Sequence, residues 1–182
     1  TQETLTATDD CGTVTITPSV DAYTVDACAG YSITYRWTAV DDCSAANTTV
    51  VTQTFNVLPD TTAPVFDAQP AAISDIACNA TLPTQETLTA TDNCGTVTVT
   101  PSVDPYTIDT CAGYAITYRW IATDNCSPAN ETVVTRTFNV LPDTEAPVFD
   151  AAPSAIGDIN CDDILPTQET LTATDNCGTV TV

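Results

Sequence analysis

The chain has 182 residues, 24 of them acidic and only three basic, for a formal net charge of −21 at pH 7. A polyanion of this kind repels nucleic acid and anionic membrane surfaces, whose binding depends on Lys and Arg, and divalent cations are its natural partners. The basic residues are Arg36, Arg119 and Arg136; there is no His and no Lys, so there is no imidazole base, no Ser-His-Asp triad and no Schiff-base amine. Catalysis is therefore not expected. No carboxylate pair stands apart from the repeated acids to serve glycoside hydrolysis. Disorder is not expected either, because 43% of the residues are hydrophobic and the β-branched types that suit pleated strands are abundant.

An internal repeat organises the sequence. TQETLTATD begins at Thr1, returns at Thr84 and again at Thr167, and residues 1–83 match residues 84–166 at 63 of 83 positions. Pro-bounded segments at 58–64 and 141–147 read as linkers. Residues 1–60 thus hold most of one repeat, 61–143 a complete one, and 144–182 the opening of a third.

In chain order, strands are expected in the complete repeat at 64–68, 87–91, 96–100, 115–122 and 133–141. The clearest is 115–122, where Ile116, Tyr118, Trp120 and Ala122 alternate with Thr117 and Arg119. Such alternation marks a strand buried on one face. Short strands broken by Pro, Gly and Asp-Asn turns predict an all-β fold of tandem immunoglobulin-like sandwiches, about seven strands each, strung as an extended rod. Trp37 and Trp120 are in phase with the apolar face, so core packing is expected rather than a sugar-stacking platform. Nine cysteines without His point to disulfides and an oxidising compartment. No apolar run approaches the roughly 18 residues of a membrane-spanning helix. The chain opens in the middle of a repeat, so export signals and anchors are expected outside it.

The runs ATDNCGTVTVTPSV (90–103), AITYRWIATDNC (115–126) and TRTFNVLPDTEAP (135–147), with four cysteines per repeat, resemble HYR (hyalin repeat) domains. More closely, they resemble the four-cysteine HYR-like repeats of giant surface and gliding-motility adhesins of Bacteroidota. The resemblance implies an extracellular, cell-surface location, type IX secretion and the role of a stalk in an adhesin or filament. Neighbouring repeats are then the main partners, with a surface or glycan ligand bound elsewhere. A carbohydrate-binding array and a spacer in a secreted enzyme are the other readings.

Two constellations follow. Cys78, Cys94, Cys111 and Cys126 allow three pairings. In a sandwich of this kind Cys94 and Cys126 share one end and Cys78 and Cys111 the other. A strand of about eight residues spans roughly 27 Å, whereas bridged Cα atoms lie about 4.4–6.8 Å apart. The expected bridges are therefore Cys11–Cys43, Cys78–Cys111 and Cys94–Cys126, with Cys28, Cys161 and Cys177 paired outside the chain. The second constellation is a calcium site at each junction, which would draw on oxygen ligands. The candidates are Asp60, Asp92, Asn93, Asp124 and Asn125 at the first junction, and Asp143 and Asp175 at the second. The same Asp and Asn residues are also natural turn formers. Weaker signals are N-x-T sequons at Asn47, Asn79 and Asn130, and a short O-glycosylation-like triplet at 60–62.

Overall fold

The computed structural model describes residues 2–43 and 47–182; Thr1, which opens the first TQETLTATD, and residues 44–46 lie outside them. Among the described residues the fold is all-β. The first repeat contributes β1 (Val14–Val20), β2 (Tyr31–Asp41) and β3 (Thr48–Val57), a sheet in the order β1-β2-β3 with antiparallel pairing throughout. The second repeat contributes β4 (Val65–Phe66), β5 (Ala90–Thr91), β6 (Val97–Val103), β7 (Tyr114–Asp124) and β8 (Glu131–Val140). Its sheets are β6-β7-β8 and the antiparallel pair β4-β5. The third repeat repeats that pair as β9 (Val148–Phe149) with β10 (Ala173–Thr174).

The strands lie where the alternation places them, with two departures. The stretches 64–68 and 87–91 shrink to two-residue strands. The complete repeat accordingly shows five strands rather than about seven, plus an isolated parallel bridge between Ile76 and Val140. Pro101 sits in β6, an edge strand of its sheet, where a missing N–H costs no ladder bond on the open side.

β7 buries Ile116, Tyr118, Trp120 and Ala122 on one face, as the alternation predicts. Leu88, Phe138 and Val140 complete this core. Tyr118 stands edge-on to both Trp120 and Phe138. The repeated Thr-Gln-Glu motif has a packing role here. Gln85 Nε2 donates to the carbonyls of Ser102 (3.1 Å) and Arg119 (2.9 Å). Trp120 Nε1 donates to Glu86 O at 2.8 Å, and Tyr118 donates its hydroxyl to Pro83 O. Gln2 and Trp37 repeat the lacing in the first repeat.

Burial differs between copies. Phe138 is 2% exposed, but its counterpart Phe55 is 39% exposed. In the second repeat the stretch 70–76 runs beside β8, with Ile76 N–H donating to Asn139 O, Leu141 N–H to Ile76 O, and Arg136 to Pro70 O. In the first repeat a groove of about 330 Å³ is bordered by Leu5, Ile16, Trp37 and Val51.

The chain divides into two compact units. One comprises residues 1–67, 89–99 and 122–132; the other comprises 68–88, 100–121 and 133–182. Each unit contains one junction between successive repeats.

Candidate functional site: the junctions between repeats

At the first junction the linker is pinned by Asp60, whose N–H donates to Ala27 O at 2.8 Å. The Asp60 carboxylate turns back on its own backbone, its Oδ1 accepting the Thr62 N–H at 3.0 Å. The next residue after Ala27 is Cys28, and it is bonded to Cys126 of the second repeat, with Cα atoms 5.0 Å apart. At the second junction Asp143 N–H donates to Thr110 O at 2.8 Å, and Asp143 Oδ1 accepts the Glu145 N–H at 3.1 Å. There the covalent link is Cys78–Cys177, with Cα atoms 5.9 Å apart. Both separations suit a disulfide.

These bridges overturn the expected pairings. Cys78–Cys111 and Cys94–Cys126 do not form, and Cys11, Cys43, Cys94, Cys111 and Cys161 carry free thiols. Cys11–Cys43 is therefore also absent, and Cys28 and Cys177 find partners within the chain. The expected ends were right: Cys126 faces the first linker, while Cys111 follows Thr110 at the second. The error was to seek each partner inside its own repeat. The short linker, held by one backbone hydrogen bond on its upstream neighbour, brings the loop of the next repeat within bonding reach.

The acids gather in part. One carboxylate oxygen from each of Asp60 and Asp124 lies with the Cys126 sulfur in a group whose members are within 4.8 Å of one another. That sulfur is committed to its disulfide, leaving only the oxygens as hard ligands. Asp124 is already engaged: Oδ1 accepts the N–H groups of Cys126 and Asn130, each at 3.0 Å, and Oδ2 accepts Asn130 Nδ2 at 2.7 Å. Burial pushes the Asp124 carboxyl up, but the Asn130 amide and these backbone donors outweigh it and hold it below its ordinary value. Asn125 is spent on Thr96 N–H at 3.1 Å. Its Oδ1 lies so close to Gly95, at φ +88°, that any Cβ there would collide with it. Asn93 offers Asp60 a donor, its Nδ2 lying 3.5 Å from Asp60 Oδ1. Asp92 Oδ1 caps the Cys94 N–H at 2.9 Å. Two oxygens stay unmatched: Asp60 Oδ2 and Asp92 Oδ2 are buried without a hydrogen-bond donor.

At the second junction Asp143 lies within the same 4.8 Å limit of the two bonded sulfurs of Cys78 and Cys177, while Asp175 Oδ1 caps the Cys177 N–H at 2.8 Å. No second carboxylate joins that group. The expected calcium ligands thus converge on the first junction through Asp60 and Asp124, and on the second they do not.

Sequence reasoning missed the ion pairs that brace each repeat. Arg119 makes a two-pronged contact to Asp104 at 2.6 and 2.8 Å, and Arg36 to Asp21 at 2.7 and 2.7 Å. The hydrogen bond from Arg119 holds the Asp104 carboxyl below its ordinary value. The shared 15-residue offset was the available signal. Also missed were stacked tyrosines, Tyr106 on Tyr114 with ring centroids 5.8 Å apart, and Tyr23 on Tyr31 at 5.7 Å.

Among known proteins, solved cadherin ectodomains match at low identity and low TM-score. The EC3-6 cis-dimer structure of protocadherin gammaB7 matches with 18% identity and a TM-score of 0.35, covering 88% of this chain and 52% of that one. Human CDH23 EC21-23 matches at 19% and 0.35, covering 81% and 54%. Drosophila N-cadherin EC1-4 matches at 16% and 0.33, covering 73% and 42%. The chain thus spans about half the length of these structures or less. No family model matches the chain, and no curated protein does.

Proposed function

We propose that this chain is a segment of a secreted, disulfide-stapled repeat array that acts as the stalk of a cell-surface adhesin or filament. The observation that supports this most directly is that both disulfides join one repeat to the next. A bridge inside a domain resists that domain's unfolding. A bridge across a junction resists bending and separation of neighbours, which is a mechanical use. Disulfides persist in oxidising compartments, which supports an extracellular location. No described helix is long and apolar enough to cross a membrane. The resemblance of the repeats to HYR-like adhesin repeats supports the finer reading, with neighbouring repeats as the main partners and ligand binding carried elsewhere. Trp120 and Trp37 are 1% and 4% exposed, which counts against a glycan-binding array built on them. The lack of His and Lys supports a non-catalytic role.

Calcium at the first junction is a second element of the proposal, carried by the orphaned Asp60 Oδ2 and Asp92 Oδ2. Buried carboxylate oxygens without donors are costly, and a hard cation is a partner that such oxygens accept. Small-angle scattering of the oxidised chain, with calcium, with EDTA and with reductant, tests the two together. The expected particle is elongated, and both EDTA and reductant loosen it. A compact particle sinks the stalk. An unchanged profile in EDTA, with no calorimetric heat of calcium binding, removes the cation.

A further inference from the structure

The two bridges differ, and the difference is informative. Cys28–Cys126 joins the third cysteine of one repeat to the fourth of the next; Cys78–Cys177 joins the first of one repeat to the second of the next. In the 83-residue register Cys94 is the counterpart of Cys177, and Cys111 of Cys28. We infer that every junction of the array carries both kinds of bridge. Cys94 and Cys111 are then each half of a disulfide whose other half lies in the adjoining repeat. Cys11, Cys43 and Cys161 fall under the same rule, so all five free thiols occupy bridge positions whose register partners fall outside residues 1–182.

The local geometry supports this. Cys94 is placed at the first linker as Cys177 is at the second. Asn93 Nδ2 reaches both Asp60 Oδ1 and Cys94 Sγ at 3.5 Å, and its counterpart Asn176 faces Cys78 Sγ at 3.9 Å. Cys111 directly follows the carbonyl that holds the Asp143 N–H, as Cys28 follows the carbonyl that holds the Asp60 N–H. The linker aspartate lies within 4.8 Å of the Cys126 sulfur at one junction and of the Cys78 and Cys177 sulfurs at the other. On the inference, each linker aspartate has both kinds of bridge near it. Each bridge forms when two thiols pass two electrons and two protons to an exogenous disulfide such as oxidised glutathione, which leaves as two thiols. The inference rests on the reading of the chain as a repeat array, not on its service as a stalk, so bridge mapping and scattering can fail separately.

The test extends the chain after Val182 with a second copy of residues 100–182, folds it in a glutathione redox buffer, and maps the bridges by non-reducing peptide digestion. Cys111 is expected to bond the copy of Cys126, and Cys161 the copy of Cys177. The number of alkylatable thiols then stays at five although four cysteines have been added. A copied Cys126 or Cys177 that remains alkylatable, or bonds such as Cys94 to Cys126 inside one repeat, overturn the inference. The unextended chain provides a second reading: Cys28–Cys126 and Cys78–Cys177 must be found with Cys94 and Cys111 alkylated, and a Cys94–Cys111 bond overturns it.

Discussion

Replacing Cys28 and Cys126 together by serine removes one covalent tie between successive repeats without leaving a stray thiol. The bridge spans 98 residues, and closing a loop of that length lowers unfolded-chain entropy by an amount worth about 4.7 kcal/mol, within the ~2–5 kcal/mol lost on removing native disulfides. For a chain of this length 1 kcal/mol moves the melting temperature by roughly 2–4 °C, so the full entropic effect corresponds to a fall of about 9–19 °C. Differential scanning calorimetry of the oxidised proteins measures it. Cys28→Ser and Cys126→Ser singly are expected to cost about as much as the pair, because each abolishes the same bond. Cys43→Ser, at the counterpart of Cys126 but in no bridge within the chain, should melt with the parent. A double variant that melts within about 2 °C of the parent, or a Cys43→Ser loss of equal size, refutes the cross-junction bond as a source of stability.

Two further outcomes are expected. Phe138→Ala should cost about 3–5 kcal/mol in urea denaturation, whereas Phe55→Ala, at a site 39% exposed, should cost about 1–2 kcal/mol; equal losses would contradict the difference in cover. Asp104 has its carboxyl held low by Arg119, so its contribution is complete above the ordinary carboxylate pKa and fades as pH falls through the lowered folded value. The gap in melting temperature between the parent and Asp104→Asn should thus be widest near neutral pH and close on strong acidification, and a gap unchanged down to pH 2 would refute the ion pair's role.

Local physics was legible along the chain, and partnership was not. The faces of β7 could be read directly because the pleat sends successive side chains to opposite sides, and Ile116, Tyr118, Trp120 and Ala122 are buried accordingly. The two ends that hold Cys94 with Cys126 and Cys78 with Cys111 followed from the loop order of a sandwich. Which cysteine meets which did not, because an 83-residue repeat offers each one chemically identical partners in its own repeat and in the next, and only the tertiary path of the linker separates them. The acids divide in the same way. An Asp or Asn in a turn advertises oxygen atoms, but whether those atoms face a cation or their own backbone depends on the loop's final course. Asp124, Asn125 and Asp175 turn inward to Asn130, Thr96 and Cys177. Asp60 and Asp92 each keep one oxygen buried and unmatched, because the folded junction encloses them without supplying a donor.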